Sequence, residues 1–284
     1  MDFSRFSQSE LYYGGSERKI GIMINGREYM LKFQKTTAFG MRYNHISEYL
    51  GSHIFALLGF SAQETFLGTY HNEPVVACKN FIGKNEYFVP FNDVGESSLD
   101  QDKERFQYSY QDIMQMLREN SKLTHVDETI ALFWQMFIVD AFLGNFDRHG
   151  GNWGFLKKDN KYQLAPIFDN GSCLFPNMAD EDEMLHIIDS AEETNKRIFS
   201  FPTSQIKLNG EKSSYYQVIH SLSFSECNAA LVHVYSKIDL EKIYQLIDGT
   251  EGITIVHKNF YQHMIKERYE KIIKASYDLL RSQQ

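Results

Sequence analysis

The hydrophobic pattern changes character once along this chain, and that change limits what it can fold into. Up to about residue 81 the apolar residues fall in short strand-like runs; from Tyr108 onward they mostly recur at helical spacing. Lys19-Ile-Gly-Ile-Met-Ile runs into Asn25-Gly26, a strong short signal for a hairpin, and Glu28-Tyr-Met-Leu-Lys-Phe33 reads as the return strand. Ile46 to Leu58 carries apolar residues at helical spacing and stops at Gly59, as a glycine C-cap would make it. Ala62–Tyr70 and Pro74–Phe81 read as two further strands around a turn at His71-Asn72-Glu73. A hairpin, a helix and a hairpin make a small sheet with one helix.

Residues 84–107 are polar and read as an irregular connector. Helices are expected over Asp112–Arg118 and Glu128–Leu143, then a glycine-punctuated loop over Gly144–Gly154 and a short hairpin of Trp153–Leu156 with Tyr162–Leu164. Asn177–Glu193 is acidic and reads as irregular. Four more helices are expected over Tyr215–His220, Ser225–Val234, Asp239–Ile247 and Ile253–Leu280. The expectation is an α+β chain in two lobes, a β-rich N-terminal lobe at residues 1–83 and a mainly helical C-terminal lobe at residues 84–284.

Composition narrows the function classes. Lys and Arg total 29 against 37 Asp and Glu, a net charge of −8, which argues against a protein living on nucleic-acid backbones. Cys78, Cys173 and Cys227 stand far apart with no CxxC pair, so neither a disulfide scaffold nor a cysteine zinc site is expected. Reduced thiols and a polar N-terminus without an apolar signal core fit a cytoplasmic protein, with specialised export left open. The most apolar run, Ala131–Phe146, is broken by Gln135 and Asp140 and is too short to span a bilayer, so no membrane contact is expected.

One segment concentrates chemistry: Leu143-Gly-Asn-Phe-Asp-Arg-His-Gly-Gly-Asn-Trp-Gly154. Asp147 is followed by Asn152 five residues on, and Pro166-Ile-Phe-Asp-Asn-Gly171 places Asp169 twenty-two residues after Asp147. Phosphoryl transfer needs one carboxylate at the attacking hydroxyl and further oxygen ligands to hold magnesium on the phosphates. An Asp and an Asn on one loop can divide those tasks, and a second Asp after a hairpin can complete the metal site. Alone, Asp-Arg-His is a surface pair and Asp-Asn-Gly a turn; their conjunction after a β-rich half is what carries weight.

A nucleotide site would draw its remaining parts from upstream. Gly14, Gly15 and Ser16 lie in a turn before the first strand that could bring backbone N–H groups to phosphates, with Lys19 at its end. Lys32 sits within a strand, either snorkelling to solvent or pointing into a cleft. Glu48 follows on the first helix, either solvated or paired with Lys32 in the strand-then-helix order that kinases use. Lys79, Asn80 and Phe81, at the end of the fourth strand, could offer backbone groups to an adenine edge.

With these residues in view, the chain resembles the HipA-like kinase family. Gly144-Asn-Phe-Asp-Arg-His-Gly-Gly-Asn152 fits that family's G-N-x-D-R-H-x-x-N signature, Pro166-Ile-Phe-Asp169 is similar to its second metal-binding motif, and Asn44–Glu48 with Leu58-Gly59 is similar to its first helix and the following turn. Leu67-Gly-Thr-Tyr, Val75-Val-Ala-Cys-Lys and Ala165–Leu174 look closest to the short CtkA-type branch of bacterial serine/threonine kinases. The resemblance implies a protein-kinase-like fold and an ATP- and Mg2+-dependent kinase, with Mn2+ as a substitute metal, acting on protein Ser/Thr hydroxyls and on itself. It makes Asp147 the catalytic base, Asn152 and Asp169 the metal ligands, Lys32 the phosphate contact, Glu48 its support and residues 79–81 the adenine hinge. His149 braces the loop or approaches the γ-phosphate, and Arg148 pairs with an acidic neighbour. The length fits a bare kinase domain without the leading subdomain of long HipA proteins. Partners in view are ATP, a protein substrate, and an antitoxin-like or host protein. Tyr12 and Tyr13 lie about where many members of the family carry a self-phosphorylated serine, and Ser16 lies inside the glycine loop instead.

Three other readings compete. A phosphoinositide-type lipid kinase also uses an Asp-Arg-His-x-x-Asn loop, but no polybasic segment meets an anionic membrane here. An ATP-binding pseudokinase or scaffold would keep the same residues without transfer. A hydrolase using Asp147 and His149 as metal ligands leaves Lys32 and Glu48 unexplained. The acidic Asp180–Glu193 stretch reads as a solvated loop or as a recruiter of basic substrates.

Overall fold

The computed structural model describes residues 1–10, 18–38, 40–96, 109–119, 123, 125–159, 161–208 and 210–283. In chain order the elements are β1 (Lys19–Ile24), β2 (Arg27–Phe33), β3 (Thr36–Thr37), β4 (Gly40–Met41), α1 (Asn44–Leu57), β5 (Thr65–Tyr70), β6 (Glu73–Lys79), β7 (Tyr87–Pro90), α2 (Phe91–Glu96), α3 (Tyr110–Glu119) and α4 (Val126–Leu143). There follow β8 (Gly154–Lys158), β9 (Lys161–Leu164), α5 (Glu181–Asp189), α6 (Ala191–Asn195), β10 (Thr203–Leu208), β11 (Glu211–Ser214), α7 (Tyr215–His220), α8 (Ser225–Tyr235), α9 (Leu240–Asp248), α10 (Ile255–Arg268) and α11 (Ala275–Ser282). The class is α+β, as the sequence predicts. Among the described residues no helix is long and apolar enough to cross a membrane.

The chain divides into two compact units. The first comprises Met1–Phe81, Pro166–Asp189 and Asp239–Gln262. Its centre is an antiparallel sheet in the order β1-β2-β6-β5. Both hairpin turns use left-handed residues, Asn25 and Gly26 at φ 49° and 74°, and His71 and Asn72 at 49° and 65°. Paired left-handed residues give the turn whose twist matches that of the flanking strands. One sheet face packs Ile22, Leu31, Phe33, Val75 and Ala77 into a core with Phe3. Residues 1–9 lie along this sheet, bonding to β5 through Phe3 and Thr69 and to β1 through Ser7, Ser9 and Met23.

The opposite face, by strand alternation, carries Lys32 with Lys19 and Val76 directly across from it. Helix α1 packs against β5 and β6. It ends in a Schellman motif: the Phe60 N–H donates to the Phe55 carbonyl and the Gly59 N–H to the Ala56 carbonyl, while the Phe55 and Phe60 rings meet edge-on.

The second unit comprises Ile82–Ala165, Ser190–Ile238 and His263–Gln284. Its centre is α4, an almost wholly buried helix packed on α8. A three-stranded sheet β7-β8-β9 and the hairpin β10-β11 lie in the same unit. Arg268, 1% exposed, donates to the Ala141 carbonyl at 2.6 Å and the Arg197 carbonyl at 2.5 Å. At Ala141, in the last turn of α4, the guanidinium satisfies a carbonyl that the helix leaves unpaired and meets the negative end of its dipole.

Several expectations are corrected. Residues 84–107 are not wholly irregular: β7 pairs with β8, Phe88 opposite Leu156, and α2 follows it directly. A four-residue edge strand is too short to show a period, and only its partner makes it a strand. The hairpin β10–β11 was not expected, although Asn209-Gly210 carries the same turn signal as Asn25-Gly26. The acidic stretch at 180–193 is two helices, not a loop. The Asp180 carboxylate accepts from the N–H groups of Asp182 and Glu183, the Ser190 hydroxyl accepts from Glu193, and Met184 and Ile187 bury one face. The last long helix is α10 and α11 joined by a π-helical stretch at Tyr269–Lys274.

Candidate active site

In the first unit, Lys32, Glu48 and Asp169 come together. Lys32 Nζ donates to Glu48 Oε2 at 2.7 Å and to Asp169 Oδ1 at 2.9 Å. Glu48 uses its other oxygen, Oε1, to accept the Asn170 N–H at 3.0 Å. Lysine, glutamate and the loop bearing Asp169 thus close a ring of hydrogen bonds. Lys32 is 4% exposed and Glu48 1%, so neither the snorkelling lysine nor the solvated glutamate is found. Burial alone pushes the Lys32 ammonium toward deprotonation, but the carboxylates of Asp169 and Glu48 outweigh it and hold its pKa well above the usual lysine value. The Asp169 side chain remains 36% exposed. Its φ of +57° aims it out of the extended path that Pro166–Phe168 follows.

Local sequence explains the placement. Ile167 bonds with Ser61 and Gln63, which fixes the strand-like approach to Asp169. Asn170, wholly buried, donates from its side chain to Ser52 Oγ on α1 at 3.0 Å. This closeness depends on Gly51: a Cβ built there would lie 2.6 Å from the Asn170 Cβ. Sequence reasoning missed Asn170 and Gly51, although a glycine inside a helical pattern signals a close approach. A Gly51→Ala variant tests this. Helix propensity alone would stabilise it by about 1 kcal/mol. We expect a net loss of roughly 1–3 kcal/mol instead, because overpacking dominates; urea unfolding measures it.

Of the other upstream residues, Lys19 stands opposite Lys32 across the β1–β2 pair. Lys79 donates its N–H to the Glu64 carbonyl, accepts from Gln63 Nε2 at its carbonyl, and pairs its ammonium with Glu64. Both its backbone groups are spent inside the unit. Asn80 donates its N–H and side-chain amide to Glu28, and the Phe81 ring packs on Phe168, the neighbour of Asp169. Gly14, Gly15 and Ser16, with Tyr12 and Tyr13, lie outside the described residues.

The second unit holds the Asp147 loop. Helix α4 ends at Gly144, whose φ of +66° turns the chain sharply out of the helix. The loop is then built around Asp140, which the sequence shows only as an interruption of an apolar run. Asp140 is 1% exposed. It accepts from Asn145 Nδ2 at 2.9 Å, Arg148 Nε at 2.9 Å and Arg148 Nη2 at 3.1 Å. Arg148 Nη1 donates to the Asn152 carbonyl at 3.0 Å, so the expected acidic neighbour of Arg148 is Asp140. Asn145 accepts the Asp147 N–H at its side-chain oxygen and the Tyr215 hydroxyl at its carbonyl. The Asp147 carbonyl accepts from the His149 N–H and from Asn152 Nδ2, both at 2.8 Å. His149 Nδ1 accepts the Gly151 N–H at 3.0 Å. That bond makes Nδ1 an acceptor and gives His149 a bracing contact within the loop.

Comparisons with known proteins give the family. The family model of the HipA-like C-terminal domain matches residues 11–248. The serine/threonine-protein kinase CtkA of Helicobacter pylori strain J99 is 36% identical over 282 residues, covering 97% of this chain and 86% of CtkA. The crystal structure of the proinflammatory kinase CtkA of Helicobacter pylori superposes with a TM-score of 0.93 at 34% identity, covering 100% of this chain and 98% of that one. HipA of Shewanella oneidensis, solved with HipB and operator DNA, shares the fold at a TM-score of 0.63 and 12% identity, covering 94% of this chain and 67% of that one. The fold is that of a protein-kinase-like enzyme. The chain belongs to the HipA-like family and is a kinase.

Proposed function

We propose that this enzyme transfers the γ-phosphate of ATP to Ser or Thr hydroxyls of proteins. The observation that carries the reading is the buried Lys32 held between Glu48 and Asp169. A buried ion pair is a poor device for stability, since its desolvation offsets most of its attraction. It is a good device for presenting one ammonium in a fixed place to phosphate oxygens. One ammonium among two carboxylates also leaves excess negative charge, and a divalent cation on the exposed side of Asp169 suits that balance.

In this mechanism Lys32 binds the phosphates of ATP and Glu48 keeps its ammonium oriented. Asp169 and the side-chain oxygen of Asn152 would hold Mg2+; the Asn152 amide nitrogen is turned to the Asp147 carbonyl, which leaves the oxygen as its acceptor end. The metal, when bound, neutralises charge on the transferred phosphoryl group. Asp147 accepts the proton of the acceptor hydroxyl and orients its oxygen for attack. Arg148 acts through the loop, by its bonds to Asp140 and to the Asn152 carbonyl. Asn80 and Phe81 close the nucleotide end, whereas Lys79 serves the sheet.

Labelled-ATP assays on protein mixtures and on phosphoinositide vesicles test the acceptor class. Label on proteins is expected; label confined to lipid, or tight ATP–Mg2+ binding with no transfer, overturns the reading. Self-phosphorylation has its own check. Ser16 carries phosphate after incubation with ATP, and mass spectrometry of the peptide ending at Arg18 should show it; phosphate found only elsewhere refutes that assignment.

A further inference from the structure

Beside Asp147 stands an aromatic pair that the phosphoryl-transfer roles leave unused. The ring of Phe146, the residue before Asp147, stacks on Phe201 with centroids 6.1 Å apart and planes at 29°. Phe201 is 49% exposed. Single exposed apolar residues need no explanation in themselves, but this one is anchored on three sides. Its N–H donates to the Lys196 carbonyl at 3.0 Å, Pro202 behind it is buried, and its ring leans on Phe146. A ring held in place yet half open to water, against the neighbour of the candidate base, is a preformed apolar contact.

We infer that Phe201 is a specificity-determining residue of the acceptor site, taking an apolar side chain that neighbours the phosphorylated Ser or Thr of the protein substrate. The inference rests on Asp147 being the base of the proposed reaction. Geometry limits where that neighbour lies. Phe201 stacks on the chain neighbour of Asp147, and an extended segment advances about 3.3 Å per residue. An apolar side chain within about three positions of a hydroxyl at Asp147 is therefore the one that Phe201 would meet. The contact is made equally before and during transfer, so it acts on substrate binding and not on the chemical step.

The test uses the full chain and a positional peptide library around one fixed serine, with labelled ATP. Wild type should prefer Leu, Met or Phe over Ala at one position within three residues of the serine by roughly five- to tenfold in kcat/KM, the scale of a partly buried apolar contact. Phe201→Ala should reduce that ratio to within about twofold of unity, through peptide KM, with kcat and the KM for ATP nearly unchanged. Phe201→Leu should keep most of the preference. A preference that survives Phe201→Ala, or a fall in kcat with KM unchanged, overturns the assignment and makes Phe201 a mere loop support. Absence of an apolar preference in wild type also overturns it. Absence of transfer to any peptide, with wild type and variant both folded, overturns instead the protein-kinase reading beneath it.

Discussion

Asp147→Asn should abolish turnover and leave the protein standing. In the proposed reaction the carboxylate accepts the hydroxyl proton, and loss of a positioned general base costs about 10²- to 10⁴-fold in rate. The loop, by contrast, is held by the backbone of Asp147. Its N–H donates to the Asn145 side chain, and its carbonyl accepts from His149 and Asn152. Asparagine has the same shape and keeps all three bonds. We therefore expect kcat to fall at least a hundredfold while the melting temperature moves by no more than about 2 °C. ATP affinity should hold, because the proposal assigns the nucleotide contacts to Lys32 and not to Asp147. Labelled-phosphate transfer and thermal unfolding on the same preparation check both halves. Near-normal transfer by the variant would refute the role of Asp147.

Arg148→Ala should instead bring the loop down. The guanidinium makes two of the bonds to the Asp140 carboxylate and one to the Asn152 carbonyl. Removing it leaves a carboxylate 1% exposed with the Asn145 amide as its side-chain donor among the described residues. Breaking a buried pair on one side costs about 3–5 kcal/mol, because the remaining charge stays buried. For a chain of this size that corresponds to a drop in melting temperature of roughly 6–15 °C. Activity should be lost as well, since the loop carries Asp147. Arg148→Lys should recover little, because one ammonium cannot reproduce the fork that spans Nε, Nη1 and Nη2. A loss below about 1 kcal/mol in urea unfolding would show that the pair does not brace the loop.

How far the sequence can be read depends on which interactions are local. The β1–β2 and β5–β6 hairpins, α1 with its C-cap, and α4 follow from turn dipeptides and periodicity, and all are found. Edge strand β7 escapes, because four residues have no period and pairing to β8 alone defines it. The two helices of the 180–193 stretch escape for another reason: their composition is acidic, and only the caps at Asp180 and Ser190 mark them.

The site divides the same way. Asp147, Asn152 and Asp169 are visible in sequence as candidates because two short segments, Asp147–Asn152 and Pro166–Gly171, concentrate them. Lys32 and Glu48 are visible as candidates, yet each could equally be solvated until the fold is known. Asp140 and Gly51 are not visible as site residues at all, and Asn145 and Asn170 stand inside the motifs with no role that the sequence assigns.

By itself, then, the sequence determines the α+β class, the β1–β2 and β5–β6 hairpins and the principal helices, and it offers the candidate groups for phosphoryl transfer. Those depend on dihedral preferences and on side-chain chemistry, which are properties of short segments. Only the tertiary structure decides that Lys32 is buried between two carboxylates sixteen and 137 residues away along the chain. It likewise decides that Asp140, buried in the last turn of α4, holds the loop through Arg148. The physical reason is common to both. A charge out of water persists only where partners distant in sequence meet it with good geometry, and no pattern within a segment specifies that meeting.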